Sequence, residues 1–274
     1  MAERAFKFDD SAAYERAMGR WSRAVAPIFL QWLAPPAGAR WLDVGCGTGI
    51  LAHTLIELRS PATVLGIDPE VAQIAQASQG PAAGRVAFQV GDARRLPFAN
   101  GSFDIAASAL VLNFIPERSQ AMAEMRRVTR VGGSVAAYVW DFAEELSPSG
   151  PLRRAMRRLG IDVPAVPGTT ESRIAALRML FEQAALERIE TRTIDVCLAY
   201  RDFQDFWQAQ TPSYSPITKT IASITGSERT RLMRAVRAEI PTAPGGVIEY
   251  FARANAIKAR VPRSISGQLR DKRA

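Results

Sequence analysis

Apolar positions along the chain follow two rhythms in turn. Short apolar runs at 41–44, 62–68, 86–90, 103–108 and 134–141 have the length and composition of buried strands. Between them the spacing becomes helical: residues 50–58, then 69–78 with Val71, Ile74 and Ala75 inward, then 117–130 with Met122, Met125 and Val128 inward. Residues 8–33 read as helix with a break, with Tyr14, Met18 and Trp21 on one face and Val25, Ile28, Phe29 and Trp32 continuing it. Pro35-Pro36 and Gly38 end that segment. Further on, 170–185 is helical, 186–200 is a strand region alternating at Ile189, Thr191, Thr193 and Asp195, and 246–261 is a last strand. Strand and helix in regular alternation predict an α/β fold, a doubly wound, mostly parallel sheet of seven strands with Rossmann-like connections.

The first strand runs into Asp43-Val44-Gly45-Cys46-Gly47-Thr48-Gly49. Glycines at every second position let backbone pass close under a ligand where a Cβ would collide. The helix that follows aims free N–H groups and the positive end of its dipole at the same place. The second strand ends in Asp68, about 20 residues on, where a carboxylate can accept from ribose hydroxyls, and Pro69 suits the first turn of the next helix. A nucleoside ligand is therefore expected.

Nicotinamide and flavin proteins use G-x-G-x-x-G, which makes room for a pyrophosphate. Here the spacing is G-x-G-x-G, and Asp43 stands two residues before the first glycine. A carboxylate so placed would repel a pyrophosphate and can accept from an ammonium. On these residues the chain resembles the class I S-adenosylmethionine-dependent methyltransferases, with a type-11-like domain similar to the methyltransferases of quinone biosynthesis. The resemblance covers about residues 10–142 and implies S-adenosyl-L-methionine as cofactor. It implies that Asp43, Gly45, Cys46, Gly47 and Gly49 form the first motif and that Asp68 and Pro69 follow it at the ribose. Asp92 would accept from the adenine amino group, beside the backbone N–H of Ala93. Ser108 and Ala109 would lead into the cofactor-lining turn, Tyr14 and Trp21 would face the cofactor from an N-terminal helical flap, and the last strand would pair antiparallel. The sequence departs from the family near Asn113, where relatives often carry histidines. Asn113 either positions a polar group of the substrate or caps a helix.

Composition narrows the picture further. Hydrophobic residues make up 47% and charged residues 23% of 274, as in ordinary globular chains, and no apolar run approaches the length that spans a membrane. Two cysteines form no disulfide framework, there is no metal-ligand cluster, and the N-terminus has no apolar signal region, so a cytoplasmic setting is expected. His53 is the only histidine and lies on the helix behind the glycine turn, which makes a histidine general base unexpected. The net charge of +8 concentrates in Arg153, Arg154, Arg157 and Arg158 and after Ala252. It reads as solvated surface, or as contact with an anionic substrate, RNA or a membrane surface.

The expected organisation is a flap at 1–36, a cofactor-binding domain at 37–200 and 246–261, a lid insertion at 201–245 and a basic tail at 262–274. The expected reaction is methyl transfer to a small hydrophobic or aromatic acceptor, with Trp140, Phe206 and Trp207 as pocket candidates. A nucleic-acid methyltransferase, a non-catalytic cofactor-binding module and a dehydrogenase are the alternatives. Acceptor atom and oligomeric state are open.

Overall fold

The computed structural model describes residues 10–241 and 245–263. Helix α1 (Ser11–Tyr14) passes through a π-helical turn (Glu15–Gly19) into α2 (Arg20–Leu33). Then come β1 (Arg40–Val44), α3 (Ile50–Leu58), β2 (Thr63–Asp68), α4 (Val71–Ala77), β3 (Ala87–Val90) and β4 (Phe103–Ala109). After α5 (Arg118–Val128), β5 (Thr129–Trp140), α6 (Gly150–Arg158) and α7 (Ile174–Gln183), strand β6 (Glu187–Tyr200) leads into three helices of the insertion. These are α8 (Phe203–Gln210), α9 (Pro216–Ser223) and α10 (Gly226–Glu239), and β7 (Ile248–Arg260) completes the sheet. The sheet order is β3-β2-β1-β4-β5-β7-β6. The first five strands are parallel, and β7 pairs antiparallel with both neighbours, β5 and β6.

Each sheet face is buried under its own core, which is why the strands read as continuous apolar runs. On one face Trp41, Ile105, Ala136, Tyr138 and Trp140 pack with Val25, Phe29 and Leu30 of α2 and Leu51 and Leu55 of α3. On the other, Leu42, Val44, Val135, Ala137 and Val139 meet Met122, Met125 and Val128 of α5 and Phe181 of α7. Successive residues of β5 thus alternate between the two cores, the period-two rule of a strand. Chain order reverses direction at β1, between β2 and β4, so a crevice opens at the carboxyl ends of these strands.

Two local expectations are corrected. The fifth strand starts at Thr129, not at 134, so that Gly132-Gly133 lies within the irregular start of β5, where the pairing with β4 shifts register after Phe103. On α4, Val71 is 68% exposed and Ala75 is also exposed, while Gln73 and Ala77 are buried. This helix lies beside the short edge strand β3 and has little sheet to cover. It turns a polar residue inward under the glycine turn instead.

Candidate active site

The glycine turn is anchored from below. The N–H groups of Gly45 and Cys46 both donate to the carbonyl of Ile67, at 2.7 and 3.0 Å. The N–H of Gly47 donates to Asp68 Oδ2 at 2.9 Å, and Glu70 N–H donates to Asp68 Oδ1 at 2.9 Å. Asp68 therefore ties the turn after β1 to the turn after β2. Gly45 and Gly47 carry φ of 74° and 52°, the left-handed region that disfavours other residues. A Cβ on Gly45 would run into the Val111 side chain, whereas one on Gly47 would meet only Gln73 Oε1 at 3.8 Å and would otherwise take up open cavity space.

Beneath this turn Asp43 is 2% exposed, and neither of its carboxylate oxygens has a hydrogen-bond partner among the described residues. Burial, and then the neighbouring Asp68 carboxylate, push its pKa up to about 7, which the nearby Ala52 amide offsets only in part. A buried carboxylate left in this state is costly unless something cationic joins it.

The turn forms one wall of a cavity of about 480 Å³. Of the expected cofactor residues, the cavity lining holds Gly45, Cys46, Gly47, Asp68, Pro69, Asp92, Ala93, Ala109, Tyr14 and Trp21, and it also holds Trp140. Asp43 and Gly49 lie just behind the wall, Gly49 immediately before the first residue of α3. Ser108 is fully buried in β4, its Oγ without a partner, and does not reach the lining. The Asp92 carboxylate is grasped by Arg94, which donates to both oxygens at 2.6–3.0 Å and also pairs with Glu117. Leu110, directly after β4, has φ of 61°, a rare value for a non-glycine residue that re-aims the chain along the cavity.

The cover comes from both ends of the chain. Tyr14, Met18, Trp21 and Ser22 line the cavity from the N-terminal helices, and Ala209, Gln210, Tyr214 and Ile217 line it from the insertion. Thr48 Oγ1 donates to Glu15 Oε2 at 3.0 Å, fastening the π-helical turn to the glycine turn. Ser213 Oγ donates to Asp10 Oδ2 at 2.6 Å, and the rings of Tyr14 and Tyr214 lie 5.8 Å apart. Burial pushes the Tyr14 hydroxyl up to about 12, so it stays protonated at neutral pH.

Three expected residues lie elsewhere. Phe206 and Trp207 are 0% and 3% exposed and pack with Tyr200, Phe203 and Tyr250, away from the cavity lining. They hold the insertion onto β6 and β7. Asn113 also faces away: its Nδ2 donates to the carbonyl of Pro167 at 3.1 Å, so it neither meets the cavity nor caps a helix but anchors the loop before α7. Asn113→Ala strands that carbonyl, and a loss of ~1–3 kcal/mol is expected in denaturant unfolding, with ligand affinity little changed. His53 is likewise behind the site, accepting from Ala82 N–H at 3.3 Å and packing edge-on to Phe88.

Several lining residues were not anticipated. Tyr138, Phe114 and Phe142 add aromatic wall, and Tyr138 could have been picked out by its place between Ala137 and Trp140 on the strand leading to the crevice. Arg153 belongs to the cluster read as solvated surface or as contact with an anionic substrate, RNA or a membrane surface; it is 9% exposed and lines the cavity. Only its neighbours on α6 behave as surface: Arg154 and Arg158 pair with Glu239, and Arg157 with Glu145.

A sheet of this order with a glycine turn at the end of β1 and an acid at the end of β2 defines the class I methyltransferase fold. Residues 42–137 match the model of the family described as a methyltransferase domain, and that segment of the chain is such a domain. The chain is similar to demethylmenaquinone methyltransferase of Roseiflexus sp. (strain RS-1), 35% identical over 122 residues, 44% of this chain and 49% of that protein. It is also similar to 27-O-demethylrifamycin SV methyltransferase of Amycolatopsis mediterranei (strain S699), 32% identical over 169 residues, 60% of each. The alignments span about half the length of the first curated relatives. In fold it resembles Haemonchus contortus phosphoethanolamine N-methyltransferase 2 in complex with S-adenosyl-L-methionine, with a TM-score of 0.56 and 16% identity over 92% of this chain and 57% of that one. Among the described residues no helix is long and apolar enough to cross a membrane, and no cluster of potential metal ligands occurs.

Proposed function

We propose that the chain transfers a methyl group from S-adenosylmethionine to a small hydrophobic or aromatic molecule. The observation that carries this reading is Asp43, a buried carboxylate with no counter-ion among the described residues, beneath a glycine turn that borders an aromatic-walled cavity. The residues fit the cofactor: Asp43 answers an ammonium, the open space above Gly47 admits a ligand's backbone-hugging atoms, and Asp68 is a carboxylate in the lining at the end of β2, the position of a ribose acceptor. Ala93 N–H and Asp92 would meet the adenine, with Asp92 shared between that ring and Arg94. When bound, S-adenosylmethionine would supply an electrophilic methyl group, activated by its own sulfonium. The protein's part is then positioning and exclusion of water. Tyr14, Trp21, Tyr138 and Trp140 wall off the reacting centre, with the N-terminal segment and residues 201–241 as its cover. The activities named for the relatives, on demethylmenaquinone and on 27-O-demethylrifamycin SV, support a small-molecule acceptor. The ion pairs of Arg154, Arg157 and Arg158 weigh against a nucleic-acid surface on α6. Of the basic tail, residues 264–274 lie outside the described residues.

Isothermal calorimetry with S-adenosylmethionine and S-adenosylhomocysteine tests the reading, followed by transfer of a tritiated methyl group onto acceptors from cell extract. Binding of both ligands is expected, and Asp68→Ala should weaken it ~10- to 100-fold, since both turn amides lose their acceptor. Unchanged affinity in that variant would count against the assignment. Binding without any labelled product would favour a non-catalytic cofactor-binding module.

A further inference from the structure

We infer that the methyl acceptor carries an oxyanion, a carboxylate or a phosphate, and that Arg153 binds it. The inference rests on the methyl-transfer reading of the same cavity. Arg153 lines the cavity, is 9% exposed, and has no carboxylate partner among the described residues. Among the described residues its one side-chain hydrogen bond is from Nη2 to the carbonyl of Pro164, at 2.7 Å. The acid near it, Glu145, is taken by Arg157. Burial, and then the Arg157 charge, lower the pKa of Arg153, and Glu145 offsets this only in part. An arginine keeps its charge even so, and a desolvated cation without a counter-ion is unfavourable until an anion reaches it.

The sheet places this cation on the acceptor's side. Arg153 is on α6, directly after β5, whereas Asp92 follows β3 and the glycine turn follows β1. In the order β3-β2-β1-β4-β5, the strand before the adenine-side acid and the strand before Arg153 lie on opposite sides of β1. Two further donor atoms in the lining are buried with no hydrogen-bond partner among the described residues: Nε of Arg118, whose other nitrogens meet Glu171 and the carbonyl of Asn113, and Nε1 of Trp140. The acids Asp43 and Asp68 sit at the glycine turn after β1 and β2, and the cation is on α6, after β5. The cavity is polarised to hold a cationic donor and an anionic acceptor together, and the apolar wall between them suits an aromatic body.

The test uses the full-length chain and three matched probes, 2-naphthoate, 2-naphthyl phosphate and 2-naphthamide. Affinity for S-adenosylhomocysteine is measured first by calorimetry in wild type, Arg153→Gln and Arg153→Lys. Probe binding is then measured by equilibrium dialysis with that ligand saturating. One or both acids are expected to bind wild type at least tenfold more tightly than the amide, and which acid is preferred assigns carboxylate or phosphate. Arg153→Gln should abolish the preference without changing S-adenosylhomocysteine affinity, and Arg153→Lys should keep part of it. If Arg153→Gln does not fold, wild type and Arg153→Lys decide. Equal binding of acids and amide, no binding of either acid, or a preference that survives in Arg153→Gln would overturn the inference. So would loss of S-adenosylhomocysteine affinity in Arg153→Gln, which would give this cation to the cofactor's own carboxylate. Failure of the wild type to bind S-adenosylhomocysteine would instead strike the methyl-transfer reading, and this inference would fall with it.

Discussion

Asp43→Asn is expected to make the protein more stable and worse at binding its cofactor. The substitution keeps the shape of the side chain and removes a charge that the fold buries without a partner, close to a second carboxylate. The carboxyl group's pKa stands at about 7 in the folded chain, against an ordinary 3.8. Between those values the folded protein holds a proton that the unfolded chain has released, so stability falls as pH rises from about 4 to about 7 and is level above. The full shift corresponds to a few kcal/mol, on the order of 4 as an upper bound. Urea unfolding of wild type and variant across pH 5–8 measures it: the difference should open in the variant's favour as pH rises. A variant less stable than wild type at pH 8 would mean that Asp43 has a structural partner after all.

The same carboxylate gives the opposite sign for binding. An ammonium-bearing ligand selects the ionised form, so affinity for S-adenosylhomocysteine should rise between pH 5.5 and 7.5, with proton release seen as a dependence of the calorimetric heat on buffer. Asp43→Asn should lose affinity ~10- to 100-fold and flatten that profile. A group that costs stability when empty and is neutralised by its ligand is a mark of a binding site rather than of a core.

How far the sequence could be read depended on how local each determinant is. The glycine turn, Asp43 and Asp68 are set by strand, turn and helix signals within thirty residues, and the sheet follows from the alternation of periods. Met122, Met125 and Val128 are all fully buried because α5 crosses a broad sheet. Val71 is not, because α4 lies at the edge. Arg153 was hidden among three arginines of identical composition; what separates them is Glu239 at the far end of α10, 86 residues from Arg153 in sequence, which draws two of them outward. Phe206 and Trp207 show the converse. An aromatic pair in an insertion can build a pocket or a small core, and here Tyr200 and Tyr250 make it core. Asn113 owes its direction to a loop carbonyl 54 residues away.

Trp21→Ala is expected to cost ~3–5 kcal/mol, the range for emptying a large aromatic site in a packed core. Trp21 is 1% exposed and makes edge contacts with Trp140 at 5.9 Å and Tyr250 at 6.1 Å while also lining the cavity. For a chain of this size the loss should lower Tm by about 10 °C, and Trp21→Phe should recover much of it. The reason is that α2 packs as part of the core. Val25, Ala26, Phe29 and Leu30 are all fully buried in the core that also holds α3 and one face of β5. Movement of the cover, if the cavity opens for substrate, is then confined to residues before Gly19, where the π-helical turn and the Thr48–Glu15 hydrogen bond form the joint. Amide hydrogen exchange should show this directly. Protection in α2 should match that of β4 and β5 and be lost only with global unfolding, while residues 11–18 exchange faster and slow on addition of S-adenosylhomocysteine. Fast, ligand-sensitive exchange through the whole of α2 would mean that the segment opens as one body and that its burial is a property of the closed state alone.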